Sequence, residues 1–290
     1  MDFTIVTPSL RQLDWLACCI ASVADQEGVT IEHIIQDAGT NGFKEFSEKM
    51  KKIWPERQGY RRVMVSEPDQ GMYDAVNKGL KKGTGTFCAY LNCDEQYLPG
   101  ALAKIKEEFE NSPAIEILYG GFLVADEKGK LMTAQRPVKM FWQHVATLHL
   151  PNFTCATFFR RSMLERDLAW FDPSYRVCGD AAWTADRLKA RRKTGSLPAL
   201  TSLFTENPLG LGSRSEAQSE ALRLRSLQSV GTRRARGLWK IVHRARKLFS
   251  GFYFFRKIST RVFTLESPVV RRPLAGLASP FWSTRIRRGS

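Results

Sequence analysis

A chain of 290 residues with 43% apolar residues can bury a sizeable core and could hold one large or two modest domains. Its 44 Lys and Arg against 29 Asp and Glu give a formal charge of +15. The excess is confined: residues 211–290 carry 18 basic and 3 acidic residues while residues 1–210 carry 26 of each, which separates a neutral body from a cationic appendage and argues against a uniformly basic protein.

The six cysteines, at 18, 19, 88, 93, 155 and 178, include no CxxC and no paired spacing. They support neither a zinc site nor a disulfide framework, and read as free thiols in a reducing cytosol. The start, Met1 to Pro8, is acidic and enters a strand at once, unlike a signal peptide. No uncharged apolar run approaches the roughly 18 residues of a spanning helix, so a soluble or peripheral protein is expected.

Phe3–Thr7 is a β-branched run expected to be a strand ending at Pro8-Ser9. From Gln12 to Asp25, Trp15, Leu16, Cys19, Ile20 and Val23 share one helical stripe. Ile31–Asp37 is a second strand, broken by Ala38-Gly39-Thr40-Asn41-Gly42. Strand, helix and strand with turn residues at the strand ends predict a parallel sheet. Taken alone, Thr7 and Ser9 are ordinary turn and cap chemistry, Asp37 is evenly balanced between a structural and a functional role, and His33 is structural. A helix over Phe43–Trp54 and a strand over Arg61–Val65 follow.

The most informative stretch runs from Ser66 through Glu67, Asp69, Gly71, Tyr73, Asp74, Asn77 and Lys78 to Gly79. It places three carboxylates, a glycine, an amide and an amine on a loop entering a helix. Met72, Ala75, Val76 and Leu80 fall at helical spacing, leaving Tyr73, Asn77 and Lys78 to other faces. Lys81 and Lys82 are expected to complement the helix dipole. The apolar run Phe87–Leu91 then ends abruptly in Asn92-Cys93-Asp94-Glu95. Open α/β sheets place chemistry beyond the carboxyl ends of their strands, and a carboxylate pair there can hold a divalent cation.

Tyr97 to Phe109 should include a helix, Ile115–Val124 one or two strands, and Asp126–Gly129 a hairpin turn. Val138–Arg161 is aromatic and resists parsing. Asp172-Pro173 signals a turn, and the helical pattern of Ala181–Ala190 makes Asp180 an N-cap on local grounds. In the tail, Leu238, Ile241, Ala245, Leu248, Phe249, Phe252 and Phe255 form an apolar stripe flanked by Lys240, Arg244, Arg246, Lys247, Arg256 and Lys257. A basic helix with a Phe-rich face, too short to span, predicts association with an anionic membrane surface. The alternative is a helix packed on the body. A nucleic-acid face ranks third, because the aromatics do not alternate with the basic residues.

The run from Ser66 to Gly79, continued by Leu91–Glu95, resembles the nucleotide-sugar-binding half of inverting GT-A fold glycosyltransferases of the family 2 type. The similarity is greatest to the bacterial branch that builds capsular, colanic-acid and lipopolysaccharide-type chains. There a Ser-Glu-x-Asp-x-Gly-x-Tyr-Asp-Ala-x-Asn-Lys-Gly run precedes Leu-Asn-x-Asp-Asp. The resemblance covers about residues 1–210. It implies a Rossmann-like, mainly parallel sheet flanked by helices, here followed by a basic helical extension over 211–290.

The same resemblance implies site residues. Thr7, Pro8, Ser9 and Asp37 would meet the nucleotide, with Asp37 reading the base. Glu67, Asp69, Gly71, Tyr73, Asn77, Lys78, Asn92 and Cys93 would hold the donor, with Glu67 and Asp69 on hydroxyls or on Lys78. Asp94 and Glu95 would hold Mn2+ or Mg2+, Glu95 standing where the family has Asp. Asp180 would be the catalytic base, with Asp186 a second candidate. Thr154-Cys155 stands where the family often has His-Gln, and His144 or His149 lies near enough in sequence to substitute. Thr205–Ser213 occupies the place of a closing Gly-Gly-x-Ser element.

The implied activity is metal-dependent, inverting transfer of a hexosyl or N-acetylhexosaminyl group from a nucleotide-sugar, UDP-sugar favoured over GDP-sugar. The acceptor would be a lipid-linked glycan in surface polysaccharide biosynthesis. The protein would sit peripherally on the cytoplasmic face of the membrane, without a nucleic-acid partner. Two alternatives stand beside this. One is a catalytically silent scaffold of a polysaccharide-assembly complex, suggested by Glu95, Thr154 and Cys155. The other is a nucleic-acid-binding protein, suggested only by the charge and opposed by the neutral body.

Overall fold

Phe3, Ile5 and Val6 are fully buried, and the strand that carries them, Phe3–Ser9 (β1), organises the sheet. The computed structural model describes residues 1–206, 215–249 and 252–281. β1 pairs in parallel with Ile31–Asp37 (β2) on one side and with Phe87–Tyr90 (β4) on the other. β2 pairs in parallel with Tyr60–Ser66 (β3). Leu13–Ala24 (α1) and Phe43–Ile53 (α2) make the first two crossovers, and Met72–Lys82 (α3) leads into β4. The strand order therefore reverses at β1, which opens a crevice beyond the carboxyl ends of β1 and β4.

Past β4 the sheet becomes mixed. Thr157–Arg160 (β8) runs antiparallel to β4 and to Ile117–Asp126 (β6). Thr194–Glu206 (β9) is parallel to β6, and Glu95–Tyr97 (β5) closes the far edge antiparallel to β9. Leu131–Gln135 (β7) pairs with β6 as a hairpin. Helices Ala101–Asn111 (α4), Trp142–Thr147 (α5), Arg161–Arg166 (α6) and Gly179–Lys189 (α7) complete the body. One core cluster joins Phe3, Ile31, Leu102, Phe109 and Phe158; a second joins Val6, Tyr73, Tyr90, Phe171 and Trp183. The mainly parallel sheet flanked by helices is as expected. β1, however, continues through Pro8 and Ser9, which pair with Gln36 and Asp37 instead of turning away.

The expectation of an all-helical extension is corrected. Ser215–Ser226 (α8), Val230–Arg234 (α9) and Arg236–Phe249 (α10) are helical. Arg256–Thr264 (β10) and Ser267–Ala278 (β11) instead form an antiparallel hairpin. Ile258, Val262, Leu274 and Ala278 pack on Leu98, Leu123, Ala134 and Leu203 of the body. Gln96 both donates to the Phe263 carbonyl and accepts its N–H, each at 2.9 Å. Arg271 forms a bidentate pair with Asp25, at 2.5 and 2.8 Å. The β-branched alternation of Ile258, Thr260 and Val262 was the sequence signal, obscured by reading the charges. Phe255 thus lies beyond the end of α10, and Phe252 is buried.

On α10 itself Leu238, Ile241, Leu248 and Phe249 are exposed, while His243 on the opposite face is buried. No helix among the described residues is long and apolar enough to cross a membrane. Most of the closing segment expected at Thr205–Ser213 lies outside the described residues.

Candidate active site

The crevice beyond β4 is built by a tight turn. The N–H of Glu95 donates to the Asn92 carbonyl at 3.0 Å, and the Glu95 carboxylate accepts the Asn92 N–H at 2.8 Å. The side chain of Glu95 is thereby drawn inward and buried, while Asp94 at the tip stays half-buried. Burial first, then the charge of Asp94, pushes the Glu95 carboxyl up to about 8; the Asn92 backbone opposes this and Asp180 adds to it. Two turns of chain remote in sequence therefore bring three carboxylates into one electrostatic neighbourhood.

Asp180 sits in the first turn of α7, not at its cap, which is Cys178. Its N–H donates to the Tyr73 hydroxyl at 3.1 Å, and the same hydroxyl donates to the Val177 carbonyl at 2.8 Å. Burial raises the Asp180 carboxyl to about 6, against the opposing pull of the Ala181 N–H and of Tyr73. The capping role falls to Glu220 of α8. Its carboxylate accepts the N–H groups of Arg176, Val177 and Cys178 at 2.5 to 2.9 Å. A carboxylate at exposed backbone N–H groups before a helix is well placed for the dipole as well. Asp186, the second candidate base, is exposed further along α7.

Several residues expected at the donor have other partners. The Asn77 side chain is buried and makes both its hydrogen bonds to the Phe171 backbone, donating at 2.7 Å and accepting at 2.9 Å. Tyr73 is buried too, stacked on Phe171 at 5.8 Å. Both therefore join α3 to the 171–180 segment, because that face of α3 turns inward. Thr7 bonds His33 at 2.9 Å within the core, and burial lowers His33 to about 3, keeping it neutral. Cys93 packs among Leu16, Ile20 and Ile35.

Asp37 is fully buried and receives hydrogen bonds from the Gly39 and Thr40 N–H groups and from the Thr40 and Ser66 hydroxyls. Three of these four bonds fall on Oδ2 and one on Oδ1. Ser9 remains available in the crevice region, its buried hydroxyl making no hydrogen bond. Pro8 precedes it in β1 and supplies no backbone donor.

Lys78 pairs with Asp74 at 3.0 Å and donates to the Pro68 carbonyl at 3.0 Å, so it does not serve Glu67. Glu67 accepts from Gln36 at 2.8 Å and lies 3.5 Å from Lys82. Asp69 accepts the Gly71 N–H at 2.8 Å. Gly71, at φ +119°, is where Arg176 comes close to the chain and donates to the Gln70 carbonyl, space that any Cβ would fill. Gly179 likewise lies against the Tyr73 ring.

Residues the sequence reading missed also stand in this region. Tyr90, at the end of β4, has a fully buried hydroxyl without a hydrogen bond, and the Asp180 and Glu95 charges both reach it. The Asn92 side-chain oxygen is likewise buried and unpaired. Neither Arg176 nor Glu220 carried a local signal in the sequence. His144 and His149 do not take the Thr154-Cys155 place; they meet His243 of α10. Cys155 is fully buried in the core.

The donor set suits a hard divalent cation. Asp94 is reachable, Glu95 is an adjacent oxygen donor, and the mutual repulsion of Asp94, Glu95 and Asp180 is what a cation would relieve. The unpaired Asn92 oxygen adds a further orphaned acceptor in the same turn.

A model of the family described as Glycosyl transferase family 2 matches residues 4–169. A PGL/p-HBAD biosynthesis glycosyltransferase of Mycobacterium bovis (strain BCG / Pasteur 1173P2) is 27% identical over 123 residues, 42% of this chain and 47% of that protein. TuaG of Bacillus subtilis (strain 168), named for teichuronic acid biosynthesis, is 28% identical over 127 residues, 43% of this chain and 48% of that protein. The matches thus span about half the length of these curated relatives. Among solved structures, S. aureus TarS 1-349 in complex with UDP-GlcNAc superposes with a TM-score of 0.62 at 14% identity, covering 87% of this chain and 75% of that one. The architecture is that of GT-A glycosyltransferases.

Proposed function

The chain belongs to glycosyl transferase family 2, and on that premise we propose that it transfers a sugar from a nucleotide-sugar donor to a glycan hydroxyl in surface polysaccharide biosynthesis. What supports this reading most is that the charges of Asp94 and Asp180, from the two ends of the motif set, add to burial in raising the Glu95 carboxyl, beyond β4 where the strand order reverses. Structural similarity to an enzyme complexed with UDP-GlcNAc favours a UDP-sugar. The relative named for teichuronic acid biosynthesis favours a surface-glycan acceptor.

Asp180 acts as general base. Deprotonated above about pH 6, it accepts the proton of the attacking hydroxyl, and attack opposite the leaving diphosphate inverts the anomeric centre in one displacement. Asp94, with Glu95 behind it, would hold a divalent cation, Mn2+ or Mg2+, which when bound neutralises charge on the diphosphate. Lys78 and the Glu67–Gly71 loop line the donor side; Tyr73 and Glu220 position the first turn of α7. The exposed Leu238, Ile241, Leu248 and Phe249, on a helix with basic flanks, would rest on an anionic membrane beside a lipid-linked acceptor.

The test is a nucleotide-sugar screen by thermal shift and transfer assay, with and without Mn2+, on wild type, Asp94→Ala and Asp180→Asn. A metal-dependent shift with one donor, lost in Asp94→Ala, together with donor binding but no transfer in Asp180→Asn, is expected. Undiminished transfer by Asp180→Asn would remove the assigned base; no shift with any donor would favour the silent scaffold.

A further inference from the structure

Three of the protein's four histidines, two from neighbouring positions and one remote in sequence, converge outside the carboxylate crevice. His144 comes from α5, His149 from the chain just after it, and His243 from α10 of the extension. Each offers a ring nitrogen within 4.8 Å of the other two. We propose that His144, His149 and His243 form a transition-metal site of the zinc class that clasps the C-terminal extension to the body.

The geometry is close to what such a site needs. Zinc–nitrogen bonds of about 2.0–2.1 Å in a tetrahedron place ligating nitrogens about 3.4 Å apart, so rotation of the side chains by roughly an ångström closes the set. The His144 and His243 rings lie 4.1 Å apart, and His149 stands edge-on to both, 76° and 85° from their planes. His149, the exposed member, leaves a route for the ion and room for water as a fourth ligand.

Burial supplies a second and independent observation. His144 is 1% exposed and His243 6%. Neither ring nitrogen of His144 makes a hydrogen bond, the Trp239 backbone alongside falling short of one, and Nε2 of His243 makes none. Each unsatisfied buried nitrogen destabilises the fold, a cost that a ligating ion would recover. Imidazole nitrogens select zinc, cobalt, nickel or copper, whereas the carboxylates of the crevice suit manganese or magnesium.

Lys247 and Arg246 are the charged groups that oppose a cation here. Both are occupied elsewhere, Lys247 over the Phe252 ring at 3.9 Å and Arg246 over Phe141 at 3.7 Å. α5 also packs on α7, whose first turn holds Asp180, so the clasp would brace that helix against the extension.

The test uses full-length protein carrying Asp94→Ala, purified without a polyhistidine tag and stripped with chelator. It is titrated with Zn2+ by calorimetry and with Co2+ by visible spectroscopy. The expected result is one equivalent per chain, intense ligand-field bands of low-coordinate Co2+ that Zn2+ displaces, and a higher Tm. His149→Gln, at an exposed position, should weaken binding by about tenfold or more and bleach the bands; His243→Gln should do the same where it folds. Absence of the Co2+ bands, or affinity unchanged in His149→Gln, overturns the proposal.

Discussion

The backbone N–H of Asp180 donates to the hydroxyl of Tyr73, 107 residues earlier in the chain, at 3.1 Å. That hydroxyl also donates to Val177, so one phenol ties α3 to the loop that presents Asp180, the proposed base. Tyr73→Phe removes both bonds and keeps the ring stacked on Phe171. A loss of about 1 kcal/mol in stability is expected, with kcat down about fivefold to tenfold and donor KM little changed. Steady-state kinetics and urea unfolding check this.

Asp180 also predicts opposite pH trends in activity and stability. Its carboxyl is raised from 3.8 to about 6 by burial. A raised acid favours the folded state while protonated in both states, and that contribution is lost as pH rises from about 4 through about 6. Transfer, which needs the carboxylate, should rise over the upper part of the same window. Asp180→Asn should therefore be more stable than wild type at pH 7.5, on the order of 1–2 kcal/mol once partial solvation is allowed for, while transfer falls by about 100-fold or more. Thermal unfolding across pH, without metal or donor, reads the first part.

Asn77 separates two roles for a motif residue. If it touched the donor, Asn77→Ala would raise donor KM selectively. Its two bonds to Phe171 predict instead a fall of about 2–3 kcal/mol in stability and a drop in kcat, with donor affinity in the folded fraction unchanged. Calorimetric donor titration beside denaturant melts distinguishes them.

Glu220 caps the loop before α7 from the extension. Glu220→Gln retains one acceptor oxygen but loses the charge and whatever the other oxygen accepts among the Arg176, Val177 and Cys178 N–H groups. Stability should fall by about 1–2 kcal/mol, and transfer should fall with it while the metal-dependent donor shift persists. A variant with full transfer activity would show that the extension does not set the base.

Phe249 tests the membrane surface. It is 88% exposed on α10, away from His243. Phe249→Glu should leave stability within about 0.5 kcal/mol of wild type and strongly reduce sedimentation with anionic vesicles, neutral vesicles serving as the reference. Undiminished vesicle binding by the variant would exclude this face.

The local part of the molecule was legible in the sequence. The β1–α1–β2 unit, α2, β3 and β4 follow from side-chain period and turn residues, which act over a few positions. So did the chemical content of Glu67–Gly79 and Asn92–Glu95. What tertiary packing decided was direction. Only the neighbour on each face of α3 determines that Tyr73 and Asn77 turn toward Phe171 and Asp180, while Lys78 stays at the rim.

The extension shows the same division. Its charge and the exposed stripe of α10 are properties of the chain itself. The docking of β10 and β11, the Glu220 cap and the meeting of His144, His149 and His243 are not, because each joins residues that share no local period. Such contacts exist only once burial of the apolar faces has chosen which elements lie side by side, and that choice is made by the whole core at once.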